Sequence, residues 1–133
     1  MTRVFTDTSF YVAMLNQDDD LHAKADGFAS SFEGETVTTE YVLVELGNWL
    51  RRAVTREMFP SFVEALYADS QTTVVPAERS LLTEGIALYV SRRDKDWSLT
   101  DCISFVVMSR FSLTDVLTAD RHFRQAGFNV VLL

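Results

Sequence analysis

Residues 3–9 read R-V-F-T-D-T-S, the pattern of a short strand followed directly by a carboxylate. The strand is predicted at Arg3–Thr6, a turn follows at 7–9, and the next letters, S-F-Y-V-A-M-L-N, have the apolar spacing of a helix. A carboxylate directly after a strand, where a helix begins, lies where α/β folds place their chemistry. This stretch therefore predicts the first unit of an α/β fold, together with one residue of its functional site, Asp7.

Strand and helix patterns alternate along the rest of the chain. Thr39 is a good N-cap for a long third helix, Asp20 is a plausible N-cap for the second, and Pro60 is tolerable only in a first turn. We expect the order β-α-α-β-α-α-β-α-α-β-α-β, a three-layer α/β/α sandwich with a mainly parallel central sheet, in one domain spanning 1–133. The further strands are predicted at 35–38, 72–75, 115–118 and 129–132, and the helices at 9–16, 21–32, 39–54, 57–68, 77–91, 99–111 and 120–126.

Composition narrows the class of protein. The chain has 133 residues, of which 47% are apolar, so it can bury a sizeable core and is not expected to be disordered. No apolar run in the sequence approaches the length of a membrane span, and the first residues lack the layout of a signal peptide. A lone cysteine, Cys102, excludes an internal disulfide and fits a reducing cytoplasm. We expect a cytoplasmic protein.

The net charge of −7 lowers the expectation of nucleic-acid binding, because affinity for phosphates comes mainly from Lys and Arg. That argument weakens if the acidic residues surround a bound cation, since a divalent ion inverts the local field. Net charge alone therefore does not exclude a nucleic-acid substrate.

Four acidic residues stand in short phrases far apart in the sequence: Asp7, Glu45 in Y-V-L-V-E-L-G-N, Asp101 in W-S-L-T-D-C, and Asp120 in L-T-A-D-R-H-F. Singly, the aspartates have ordinary interpretations as N-caps or helix-terminus acids. Glu45 could equally be an exposed side chain, but it stands mid-helix among apolar neighbours, with Asn48 on the same narrow stripe. Together, four such acids predict a hard-cation site.

An all-oxygen ligand set selects Mg²⁺ or Mn²⁺ over zinc, and the chain lacks a Cys/His cluster. Carboxylates brought together repel one another unless a cation lies between them. A cation held in this way can activate water and stabilise the charge that builds on a phosphodiester during cleavage. The acids therefore favour metal-dependent nuclease chemistry.

These phrases resemble the PIN-domain family, most closely the VapC-type toxins, which are small metal-dependent ribonucleases paired with an antitoxin. Asp7-Thr8-Ser9 resembles the family's opening D-T/S-S, Glu45 its helix glutamate, and W-S-L-T-D-C-I-S-F-V-V-M the block around its third acid. T-A-D-R-H-F, residues 118–123, resembles its T-x-D-x-x-F element. The resemblance covers nearly the whole chain, with the motifs in the family's order.

The resemblance implies that Asp7 and Asp101 bind Mg²⁺ most directly and that Glu45 and Asp120 complete or orient the set, with Mn²⁺ as a possible substitute. It implies RNA cleavage by a metal-activated water that leaves a 5′-phosphate, with Ser9 and Thr118 as supporting hydroxyls. Because the helices at 9–16, 21–32 and 57–68 offer more apolar surface than a monomer easily covers, we expect a homodimer and an antitoxin partner.

Other residues are interpreted as structural or surface positions. This group comprises His22, His122, Cys102 and the Asp18–Asp20 turn, whereas Trp49, Trp97 and the pairs Arg51-Arg52 and Arg92-Arg93 could contact RNA or serve packing and solvation. Two alternative functions remain open: a PIN-type binding module with a structural metal, and an Mg²⁺-dependent phosphatase. The phosphatase usually needs D-x-D where this chain has D-T-S.

Overall fold

The computed structural model describes residues 2–132, apart from the side chain of Ala53. Within these residues, five strands form one sheet in the order β3-β2-β1-β4-β5, and every pairing is parallel. The predicted α/β class and parallel central sheet are therefore confirmed. The strands are β1 (Arg3–Thr6), β2 (Glu35–Thr39), β3 (Thr72–Val75), β4 (Asp115–Leu117) and β5 (Asn129–Val130).

Helices cover both faces of the sheet. Val4 and Phe5 of β1 are adjacent and both fully buried, as are Val116 and Leu117 of β4. Because successive residues of a strand point to opposite faces, this burial requires a cover on each face. The helices are α1 (Thr8–Leu15), α2 (His22–Ser31), α3 (Glu40–Trp49), α4 (Ala53–Arg56), α5 (Met58–Ala68), α6 (Arg79–Ser91), α7 (Leu99–Arg110) and α8 (His122–Gln125).

Strand order fixes where a site can form. From β1 the chain builds outward through β2 and β3 on one side, and then crosses back to build β4 and β5 on the other. A crevice opens outside the carboxyl ends of the strands at such a reversal, here between β1 and β4. The backbone N–H of Asp7 donates to the carbonyl of Leu117 across this crevice at 3.1 Å, so the two strand ends are held side by side.

The third predicted helix is shorter than expected. It begins as predicted, with the Thr39 hydroxyl accepting from the N–H of Val42 at 3.0 Å, but it ends at Trp49 rather than at residue 54. Arg52 is extended (ψ 151°), and α4 begins after it. The hydroxyl of Thr55 donates to the carbonyl of Leu50 at 3.0 Å, which satisfies a carbonyl that a continuous helix would have paired.

Two further expectations about helix ends need correction. The second helix begins at His22 with Leu21 at the N-cap, and Asp19 rather than Asp20 accepts the local bond, from the N–H of Leu21 at 2.9 Å. The last helix is limited to His122–Gln125, and Gly127 follows it with φ 95°, a conformation suited to glycine. Pro60 lies in the first turn of α5, as predicted.

No helix within residues 2–132 is long and apolar enough to cross a membrane.

Candidate metal centre

Asp7 occupies the N-cap position of α1, but its carboxylate faces the crevice between β1 and β4. It is only 4% exposed, and its Oδ2 accepts hydrogen bonds from the hydroxyls of Thr118 at 2.8 Å and Ser9 at 3.2 Å. The pKa of Asp7 is raised from 3.8 to about 7, chiefly by burial and also by the charges of Asp101 and Glu45, while the Thr118 hydrogen bond opposes the rise. A buried carboxylate in this position is stabilised by any positive charge placed beside it.

Ser9 and Thr118 connect Asp7 to the loop after β4. Their hydroxyl oxygens lie 2.9 Å apart. The Ser9 hydroxyl also accepts from the N–H of Ala119 at 2.9 Å, and the fully buried Thr118 hydroxyl accepts from the N–H of Asp120 at 2.9 Å. These two side chains therefore fix the loop that carries Asp120 against the end of β1.

Asp101 stands in the first turn of α7, and it has two roles in the structure. Its N–H donates to the Ser98 hydroxyl at 3.0 Å, and its Oδ2 accepts from the N–H of Ser98 at 3.2 Å, which is a capping box. The helix-terminus interpretation is thus correct, yet the same carboxylate also lines the cleft. Burial raises its pKa, the hydrogen bond with His122 lowers it, and the charge of Asp120 raises it.

His122 joins the carboxylates of Asp101 and Asp120. Its Nδ1 lies 2.9 Å from Asp101 Oδ2 and 3.3 Å from Asp120 Oδ1, and its side chain is 21% exposed. Asp120 Oδ1 also accepts from the N–H of His122 at 2.9 Å, so the turn entering α8 orients both side chains. His122, interpreted from the sequence as a structural or surface position, thus contacts two of the four predicted acids. The signal was its position two residues after Asp120.

A cleft of about 910 Å³ brings these residues together with Glu45. Glu45 is half-buried on α3 and lines the cleft, whereas Asn48, expected to share its stripe, is exposed and lies outside the cleft lining. The cleft also has a rim that includes Trp49 and the Asp18–Asp20 turn, which sequence reasoning did not place there. All four predicted acids thus meet at one cleft.

Residues 4–129 match the family model of the PIN domain. This chain belongs to the PIN-domain family. The match covers nearly the whole chain, and it confirms both the resemblance and the nuclease class predicted from the four acidic phrases.

Similar proteins within the PIN-domain family extend the comparison. The chain is 28% identical over 128 residues to the 23S rRNA-specific endonuclease VapC20 of Mycobacterium tuberculosis, covering 94% of this chain and 95% of that protein. The crystal structure of VapC20 from Mycobacterium tuberculosis, a Sarcin-Ricin loop cleaving toxin, superposes with a TM-score of 0.88 at 25% identity, covering 98% and 99% of the two chains. This likeness supports the VapC-type resemblance found in the sequence.

Two more distant structures share the fold. VapBC2 from Rickettsia felis, bound to a DNA fragment from its promoter, matches with a TM-score of 0.66 at 12% identity, covering 97% of each chain. FitAcB from Neisseria gonorrhoeae matches with a TM-score of 0.67 at 15% identity, covering 96% of this chain and 95% of that one.

The side chains at this PIN-domain cleft fit a divalent cation. Asp101, Asp120 and His122 each offer a ligand atom, and these atoms lie within 4.8 Å of one another. Asp7 adds a buried carboxylate whose pKa is raised chiefly by burial, so a neighbouring cation would favour its charged form. Mutual repulsion among these acids is relieved when a cation lies between them. The donor set is mainly oxygen, which suits Mg²⁺ or Mn²⁺.

We predict that Thr118→Val slows RNA cleavage about 10- to 100-fold, the range for residues that orient the ligands of a metal. Valine fills the same buried space but cannot donate to Asp7 or accept from the N–H of Asp120. Single-turnover cleavage rates at saturating metal measure the effect. Thr118→Ser, which keeps the hydroxyl, serves as the matched control and should retain most activity. A wild-type cleavage rate in Thr118→Val would show that the Thr118 hydroxyl does not contribute to catalysis.

Proposed function

We propose that the chain is a single PIN-like domain that acts as a Mg²⁺-dependent endoribonuclease and hydrolyses RNA phosphodiester bonds. The observation that carries the proposal is the meeting of Asp7, Glu45, Asp101 and Asp120 at one cleft, from four separate parts of the sequence. A strong concentration of negative charge at a strand-end crevice has a cost in stability. A cation bound there would offset this cost by neutralising the negative charge.

Each acid has a distinct proposed role. Asp7 and Asp101, the two most buried acids of the cleft, would hold the cation most directly, and Glu45 and Asp120 would complete or orient the set. The bound cation supplies Lewis acidity, which lowers the pKa of a bound water and stabilises the charge that builds on the phosphodiester. Ser9 and Thr118 hold the Asp7 carboxylate in place through hydrogen bonds, so its position is fixed before RNA arrives.

The proposal predicts that the purified protein cleaves RNA with Mg²⁺ or Mn²⁺, that EDTA stops cleavage, and that the products carry a 5′-phosphate. Because VapC20 is a Sarcin-Ricin loop cleaving toxin, a hairpin RNA with that loop is the first substrate to test, beside one with a scrambled loop. If divalent metal raises the melting temperature of the protein but the two hairpin RNAs and total ribosomal RNA all remain uncut, the chain is instead a binding module of the same fold.

We further propose that the protein is the cytoplasmic toxin of a toxin–antitoxin pair and that it forms a homodimer. The support is the similarity to VapC20, which is a toxin, together with apolar side chains that remain exposed on α3 and α6, including Val44, Ile86 and Val90. Large exposed apolar side chains were expected on the helices at 9–16 and 21–32, but among the described residues α1 and α2 carry none. A short reading frame that overlaps the start of this gene, and whose product abolishes the RNA cleavage, would support the pairing. Sedimentation of the purified chain as a monomer at micromolar concentration would contradict the homodimer.

Trp49 is expected to contribute to RNA binding. It is 65% exposed at the end of α3 and lies on the rim of the cleft, where an aromatic ring can stack on a base. Trp49→Ala should weaken binding by ~1–3 kcal/mol, the range for one stacked base. Fluorescence anisotropy with labelled RNA measures this in an Asp7→Asn background, which prevents cleavage. Tyr89→Ala, another exposed aromatic outside this cleft, is the control. Equal affinities for the two variants would exclude stacking on Trp49.

A further inference from the structure

One ring nitrogen of His122 lies close to carboxylate oxygens of two of the cleft's acids. The Nδ1 atom is 2.9 Å from Asp101 Oδ2 and 3.3 Å from Asp120 Oδ1. Around a cation with ligand bonds near 2.1 Å, adjacent ligands in an octahedron are about 3 Å apart. The two nitrogen–oxygen separations are close to this spacing, and one ligand atom from each of the three residues lies within 4.8 Å of the others.

A hydrogen-bonding role alone accounts less well for these contacts. A ring nitrogen carries at most one N–H, so Nδ1 can donate a well-aligned hydrogen bond to only one carboxylate. Two carboxylates, those of Asp101 and Asp120, nevertheless lie close to it. The backbone also holds both acids in place, since Asp101 Oδ2 accepts from the N–H of Ser98 and Asp120 Oδ1 from that of His122. The two carboxylates are thus kept at one nitrogen atom by the helix start of α7 and by the turn into α8.

We propose that His122 Nδ1 is a metal ligand alongside Asp101 and Asp120, and that the centre therefore binds divalent transition-metal ions in preference to Mg²⁺. Imidazole is a common ligand of transition metals, whereas Mg²⁺ selects oxygen donors. Mg²⁺ remains able to bind through the carboxylates, but it gains little from the ring nitrogen. The inference deepens the proposed function, since it concerns the cation at the same cleft.

Electron spin-echo spectroscopy of the Mn²⁺-loaded protein, without RNA, tests the nitrogen ligand directly. The chain has two histidines, which gives a matched pair of variants. The wild-type protein and His22→Asn should both show modulation from a coordinated ¹⁴N nucleus, and His122→Asn should lose it. Labelling the wild-type protein with ¹⁵N-histidine should shift the modulation frequencies, a result that needs no variant. Absence of nitrogen modulation from bound Mn²⁺, or its persistence in His122→Asn, would overturn the proposal.

Calorimetry with Mn²⁺ and Mg²⁺ tests the preference. Loss of a true ligand should weaken Mn²⁺ binding by at least the 10- to 100-fold or so seen when residues that only support ligands are removed. In His122→Asn and His122→Gln we expect the ratio of Mn²⁺ to Mg²⁺ affinity to fall about tenfold or more. An equal loss for both ions would assign His122 to positioning and overturn the proposal. Neither experiment contains RNA, so a failure here is distinct from a failure to cleave.

Discussion

Asp7→Asn should reduce the rate of RNA cleavage at least about 100-fold, because even residues that only support metal ligands cost up to that factor when removed. Asparagine has nearly the same shape and can still accept the hydrogen bonds of Thr118 and Ser9. What it removes is the negative charge, which is the property that holds a divalent cation. A loss of activity would therefore be a loss of charge at a site whose geometry is kept.

The measurement is a single-turnover cleavage assay across a series of Mn²⁺ concentrations, with circular dichroism to show that the variant is folded. Asp26→Asn is the matched control: it removes the same charge from an exposed position on α2, outside the cleft lining, and should cleave at the wild-type rate. If Asp7→Asn keeps wild-type activity, Asp7 is not a metal ligand. If both variants lose activity alike, the effect comes from overall charge.

The parts of this site that could be predicted are those that topology alone assembles. Asp7 and Asp120 each follow a strand, and the carboxyl ends of parallel strands meet at one edge of the sheet. The sheet order then places β1 beside β4, which brings these two loops together. Strand patterns and motif order are local signals, so the sequence contained them.

The parts that could not be predicted depend on distances between elements. His122 contacts Asp101 across 21 residues, through the way α8 packs against the start of α7. Asn48 is on the same helix as Glu45, but only Glu45 lines the cleft. Helical spacing predicts which residues share a face of the helix, but it does not predict how far the cleft extends along that face. The end of α3 at Trp49 is likewise accompanied by a hydrogen bond from the Thr55 hydroxyl, beyond the helix, to the carbonyl of Leu50. These features can be known only from the three-dimensional structure.

The metal-free protein should lose stability as pH rises toward 7. In the unfolded chain the Asp7 carboxyl has its ordinary pKa of 3.8, and in the folded chain its pKa is raised to about 7, chiefly by burial. Between these values the folded state keeps a proton that the unfolded state has released, so the free energy of unfolding falls with increasing pH. The stabilisation is complete below pH 3.8 and is lost once the pH passes about 7.

The expected loss from Asp7 is ~2–4 kcal/mol between pH 4.5 and pH 8, since a pKa difference of one between the folded and unfolded chains corresponds to about 1.36 kcal/mol. Urea unfolding in EDTA measures it, and the comparison with Asp7→Asn separates Asp7 from the other carboxyls, since asparagine cannot titrate. The wild-type curve should fall more steeply than that of Asp7→Asn, whereas Asp26→Asn should follow the wild type. Parallel pH dependences for the wild type and Asp7→Asn would contradict the buried-charge account.

A divalent cation should reverse this pH dependence. A cation binds the deprotonated carboxylates, so its stabilising effect grows as the pH rises and protons leave the cleft. Saturating Mn²⁺ should therefore stabilise the wild-type protein much more at pH 8 than at pH 4.5, and it should stabilise Asp7→Asn less at the higher pH. The negative charge that destabilises the metal-free protein at high pH would then be the charge that binds the metal. An equal effect of Mn²⁺ at both pH values would mean that the ion binds elsewhere on the protein.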